Sequence, residues 1–118
     1  MAFIGYARVS TQEEGQVLDR QTDALKAAGC KRTFEDRASG AYADRPGLKA
    51  CLDHLRRDDV LVVLGLDRLG CRAGELIQLV GELNGRGVGF RALNTALDTT
   101  IPAGRAFLQI HAAFAEME

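Results

Sequence analysis

At 118 residues, 47% of them hydrophobic and 26% charged, the chain has the length for one substantial core and not for two ordinary domains. Two prolines, the absence of low-complexity tracts and a net charge of -1 exclude a disordered chain. They also exclude a protein that coats nucleic acid by bulk charge, which needs many Lys and Arg facing the backbone; a local basic site stays open, and 12 of the 15 basic residues are arginine.

Residues Ala2 to Arg8, with Phe3, Ile4 and Tyr6 supplying bulk, read as a first strand, and the polar run from Ser10 to Gly15 breaks the pattern into a strand-to-helix loop. Apolar positions Leu18, Ala24, Leu25 and Ala28 recur at helical spacing from about Val17, and Gly29 stands where a left-handed cap is wanted. A short second strand is expected at Thr33 to Glu35, followed by a loop from Asp36 to Asp44. Pro46 opens the next helix, through Leu48, Cys51, Leu52 and Leu55. Val60 to Leu64 is an unbroken aliphatic run, the pattern of a central strand buried on both faces. A helix at about Gly74 to Asn84, ended by Gly85-Arg86-Gly87, precedes a strand at Val88 to Leu93. Ala103 to Glu118 is a last helix whose stripe, including Phe107, Leu108, Ile110 and Phe114, is too broad for a helix lying on a sheet edge. Its far side is expected to meet a partner subunit, and the helical pattern is still running at the last residue, as in a truncated chain.

This alternation predicts an α/β fold with a mostly parallel central sheet and helices on both faces, residues 1–102 forming the core and 103–118 the start of a long oligomerisation helix. No apolar run approaches the roughly 18 residues of a membrane span, and the N-terminal residues show no signal-peptide pattern, so the cytoplasm is the expected compartment. Cys30, Cys51 and Cys71 form no C-x-x-C pair and two scattered histidines complete no zinc pattern, so free thiols and no metal are expected.

In sheets of this kind ligands bind beyond the carboxyl ends of the strands. The first strand delivers Tyr6-Ala7-Arg8-Val9-Ser10 to that edge, and alternation puts Tyr6, Arg8 and Ser10 on one side. Asp67 and Arg68 follow the central aliphatic strand to the same edge. Arg45 stands at a helix start, where backbone N–H groups favour an anion. Arg8, Arg45 and Arg68 can therefore converge on one phosphate beside the Ser10 hydroxyl. Taken singly, each of these residues also fits an ordinary surface charge or a polar turn.

In order along the chain, Tyr6-Ala7-Arg8-Val9-Ser10-Thr11, Leu18-Asp19-Arg20-Gln21, Asp36 with Ser39-Gly40, Asp44-Arg45-Pro46-Gly47-Leu48, Leu66-Asp67-Arg68-Leu69-Gly70, Asp98-Thr99 and Ala115-Glu116-Met117-Glu118 resemble the serine site-specific recombinases, the resolvases and DNA invertases. The resemblance runs from about Ile4 to the end and implies a resolvase-like catalytic domain. It implies Ser10 as the nucleophile toward a DNA phosphodiester, with Arg8, Arg45 and Arg68 holding the phosphate, Asp67 as an active-site carboxylate, and Gln16 and Gln21 near the nucleophile beside Tyr6. It further implies a covalent 5'-phosphoserine link, strand exchange without metal or ATP, a dimer that becomes a tetramer on double-stranded DNA, a bacterial cytoplasmic setting, and a DNA-binding domain not present in these residues.

Two departures stand out. Most members read Leu-Asp-Arg-Leu-Gly-Arg, whereas this chain has Cys71 in the place of the last arginine, followed by Arg72; a neutral thiol offers phosphate no charged fork, and Arg72 is the available substitute. Two extra residues also lie between Ser10 and Gln16. A non-catalytic dimerisation or regulatory module on the same fold is therefore the rival reading. A small-molecule domain of flavodoxin-like shape is a second, but no strand is followed by a phosphate-binding glycine pattern.

Overall fold

The computed structural model describes residues 2–9, 15–37, 45–65, 73–95 and 97–98. Four parallel strands make up the centre of the sheet: β1 (Phe3–Val9), β2 (Cys30–Arg37), β3 (Val60–Val63) and β4 (Gly89–Ala92). A two-residue β5 (Leu97–Asp98) adds an antiparallel edge, giving the order β2-β1-β3-β4-β5. Helices α1 (Gly15–Ala27), α2 (Pro46–His54) and α3 (Ala73–Gly85) make the crossovers. The mostly parallel α/β sheet expected from the alternation is the one observed.

Strand alternation divides the core into two layers. Ile4, Tyr6, Leu61, Val63 and Phe90 face one way and pack with Leu48 and Cys51 of α2 and Leu79, Val80 and Leu83 of α3. Ala7, Val60 and Val62 face the other way, against Leu25 of α1. β3 is buried at all four positions, which is why its sequence is aliphatic without interruption.

The chain leaves β1 toward β2 with α1 on one face, then crosses back over β1 to β3 with α2 on the other. The strand order reverses between β1 and β3, and the carboxyl ends of these two strands flank the crevice where sheets of this type bind ligands.

Three expectations need adjusting. β2 is eight residues long and carries Asp36 and Arg37 inside the strand, not in a loop. It is an edge strand with Lys31, Arg32, Glu35 and Arg37 exposed, so its composition looks polar, and charged side chains on a free edge hinder pairing with another sheet. The strand placed at Val88 to Leu93 is shorter, passing into a 3-10 turn at Leu93–Thr95, and β5 carries too few residues to make a pattern. Gly29 ends α1 as expected, at φ 96° with its N–H donating to the Lys26 carbonyl at 3.0 Å. The helix expected at 103–118 lies outside the described residues. Among the described residues no helix is long and apolar enough to cross a membrane.

Candidate active site

The carboxyl edge of the sheet is organised around a carboxylate that belongs to β2. Asp36 is buried, 7% exposed, and pairs in register with Arg8 of β1. The Tyr6 hydroxyl donates to its Oδ2 at 2.7 Å. The Leu48 backbone N–H donates to the same oxygen at 2.8 Å, and the Gly47 N–H donates to Oδ1 at 2.7 Å. A helix start normally recruits its own first residue as a cap, but Arg45, the residue before α2, makes no side-chain cap bond. Asp36 supplies the missing acceptor from the neighbouring strand, and its negative charge sits at the positive end of the helix.

This arrangement requires Gly47. A Cβ there would collide with the Glu35 carbonyl oxygen and lie 2.8 Å from Asp36 Oδ1, so only glycine lets α2 approach β2 this closely. With α2 pinned, the Arg45 side chain is buried at 2% exposure, the largest fully buried side chain in the described structure. It acts on the Tyr6 phenol both as a charge and as a hydrogen-bond partner, favouring ionisation. Burial and the Asp36 carboxylate act more strongly in the opposite sense, so the Tyr6 pKa is raised and the phenol is a neutral donor.

A second device holds the end of β1. Gln21 of α1 is 1% exposed, and its side-chain amide takes both hydrogen bonds that the Arg8 peptide offers. Oε1 accepts from the Arg8 N–H at 3.1 Å and Nε2 donates to the Arg8 carbonyl at 3.0 Å. The register of β1 with β3 stops at Tyr6 and Val63, so here the Gln21 amide does for Arg8 what a strand would do. The chain direction two residues before Ser10 is thereby fixed.

Of the residues singled out in the sequence, Tyr6 and Arg45 meet in one cluster, while Arg8 and Gln21 are joined by backbone bonds at the same edge. Gln16 lies in the first turn of α1, exposed. Ser10, Asp67, Arg68, Cys71 and Arg72 lie outside the described residues. Asp36, which enters the sequence reading only as part of a motif, is the organiser of the cluster. The available signal was its spacing to Gly47, and that becomes meaningful only once β2 and α2 are side by side.

The other described titratable groups with a resolved shift are thiols. Burial pushes Cys51 up to about 12 and Cys30 up to about 11, so both remain protonated at neutral pH. Among the described residues no group of three or more His, Cys, Asp or Glu could hold a metal ion.

Fold and cluster together define a parallel α/β domain that gathers arginines and a neutral phenol at the carboxyl edge, beside the point where its strand order reverses. The family model described as "Resolvase, N terminal domain" matches residues 3–118, and the chain belongs to that family. It is 52% identical over 116 residues to the DNA-invertase of Escherichia phage P1, covering 98% of this chain and 61% of that one. It is 51% identical to the serine recombinase gin of Escherichia phage Mu, with 98% and 59% covered. The crystal structure of the N-terminal catalytic domain of TP901-1 Integrase superposes with a TM-score of 0.81 at 28% identity, over 99% of this chain and 95% of that one. The chain thus spans about three fifths of the length of the curated relatives it matches.

Proposed function

We propose that this chain is the catalytic part of a serine recombinase that breaks and rejoins double-stranded DNA. Its Ser10 Oγ attacks the scissile phosphorus and gives up its proton; an oxygen–phosphorus bond to Ser10 forms, the bond to the 3' oxygen breaks, and that oxygen takes up a proton and leaves as a hydroxyl, so no net proton is consumed. The reverse reaction with another strand's 3' hydroxyl rejoins the DNA, and because the phosphoserine ester conserves the bond energy no nucleotide cofactor is needed.

The observation that supports this reading is the buried Arg45, acting on Tyr6 near the carboxyl end of β1, the strand that Ser10 follows in the sequence. Guanidinium groups gathered in advance around the site stabilise the negative charge that grows on a phosphorane. Arg8 at the end of β1, with Arg68 and Arg72 after β3, complete the cationic set, and Asp67 accompanies them. In this reading the guanidiniums supply the charge stabilisation and no metal takes part. The active species in this reading is a dimer joining into a tetramer through residues 103–118, where the sequence pattern predicts a helix, working on bacterial DNA in the cytoplasm.

The test joins this chain to the DNA-binding part of a relative, incubates it with supercoiled DNA carrying that relative's sites, and quenches with detergent. Protein covalently bound to 5' DNA ends, absent in Ser10→Ala, is the expected result. If DNA binding and dimerisation are intact and no link forms, the regulatory reading replaces this one.

A further inference from the structure

Arg37, the last residue of β2, is exposed at the carboxyl edge of the sheet and pairs in register with Val9, the last residue of β1. One peptide joins Val9 to Ser10. With paired strands about 4.8 Å apart and successive Cα atoms about 3.8 Å apart, the Cα atoms of Arg37 and Ser10 are separated by no more than about 9 Å. Alternation puts Arg37 on the face of β2 opposite Asp36. Asp36 turns toward the start of α2, whereas Arg37 Nη2 lies 4.0 Å from the point where a Cβ on Gly15, the first residue of α1, would stand. The first turn of α1 carries no acid. Glu35, the acid that shares the Arg37 face of β2, is set back from the edge by two residues, or about 6.6 Å.

Arg8 pairs in register with Asp36, and Arg45 acts on Tyr6, so these two cations belong to the α2 face and Arg37 to the α1 face. We infer, on the strength of the recombinase reading above, that Arg37 binds the backbone phosphate next to the scissile one on the cleaved strand. The strand then passes over the carboxyl end of β1 with guanidinium groups on either side of the Ser10 position. Negative charge grows on the attacked phosphorus and acts on the guanidiniums of the α2 face, whereas the neighbouring phosphate carries the same charge before and during the reaction. A contact to that neighbour strengthens ground state and transition state alike. It raises affinity and sets the register of the strand without raising the rate at saturation.

The chain joined to the DNA-binding part of a relative is given duplexes of that relative's site in which one phosphate at a time, on either side of the scissile one, is replaced by a neutral methylphosphonate. Affinity is followed by fluorescence anisotropy and covalent trapping by detergent quench. One flanking position is expected to weaken binding by the parent about fivefold, the scale of an exposed charge pair. Arg37→Gln, a substitution at an exposed position that leaves the core intact, should weaken binding to the unmodified duplex by the same factor and lower the salt slope by about 0.9. It should be indifferent to the methylphosphonate at that one position and remain sensitive at the others, and Arg37→Lys should restore affinity. The trapping rate at saturating DNA should change less than about twofold. A variant that binds like the parent, or that keeps the parent's sensitivity at every position, overturns the proposal. So does a saturating trapping rate that falls about tenfold or more, which would place Arg37 in the chemistry. Trapping by the parent without a position-specific loss sinks the Arg37 contact alone, and a position-specific loss of affinity without trapping sinks the recombinase reading alone.

Discussion

Asp36→Asn keeps the outline of the side chain, removes its charge and turns one acceptor into a donor. If the amide oxygen takes the place of Oδ2, the bonds from Tyr6 and Leu48 survive in weakened form, and the amide NH2 then faces the Gly47 N–H. A hydrogen bond to a charged group contributes about 1.5–3 kcal/mol, and a buried donor left without an acceptor costs about 1–3 kcal/mol. Loss of a helix cap falls in the same range. Because these describe overlapping losses, they are not summed, and about 3 kcal/mol is the expected destabilisation. For a chain of this length about 4 °C is lost per kcal/mol, so the melting midpoint followed by circular dichroism should fall by about 12 °C. A midpoint within about 2 °C of the parent would refute the reasoning, because Asp36 would then not be holding α2 against β2.

Further outcomes follow from the same geometry. The Tyr6 pKa is raised above its ordinary value of 10, so its contribution to stability is complete below pH 10 and is lost as pH rises beyond it. Urea midpoints should fall from pH 9 upward as Cys30 and Cys51 join in, and Tyr6→Phe should flatten the part above pH 10; equal slopes in variant and parent would contradict the assignment. Gln21→Ala strands the Arg8 peptide, at a cost of about 1–3 kcal/mol, and should lower the rate of covalent trapping more than it lowers DNA affinity. Equal losses in both would mean that the clamp does not position Ser10. Cys71→Arg should raise trapping if the thiol withholds a transition-state donor, an effect on the order of 10²–10³ in other enzymes, and an unchanged rate would show that Arg72 already serves.

The elements readable from the sequence are those whose burial is uniform. Val60 to Val63 announces itself because β3 has neighbours on both faces, and the α3 region because its apolar residues keep helical spacing. β2 reads too short because an exposed edge tolerates Lys31, Arg32 and Arg37, which look like loop residues when no partner is visible. The same ambiguity hides Asp36: an acid in a polar stretch looks solvated, and only the approach of α2 makes it a buried acceptor for three donors. Tyr6, Arg8, Arg45 and Gln21 are legible as candidates through alternation, helix position and resemblance, and the structure brings them to one edge of the sheet. The way Gln21 works is not, since it depends on β3 ending short of Arg8.

The bond between Asp36 and the start of α2 also bears on how such a sequence can drift. A larger residue at Gly47 meets both the Glu35 carbonyl and the Asp36 side chain, and a shorter one at Asp36 uncaps the helix without relieving the Glu35 clash. Neither position has a neutral first step, so single substitutions at either are expected to be purged. Descendants of this chain should explore sequence space around a fixed Asp36–Gly47 pair, freely on the outer face of α2, where Lys49 and Ala50 are exposed, and hardly at all where α2 meets β2.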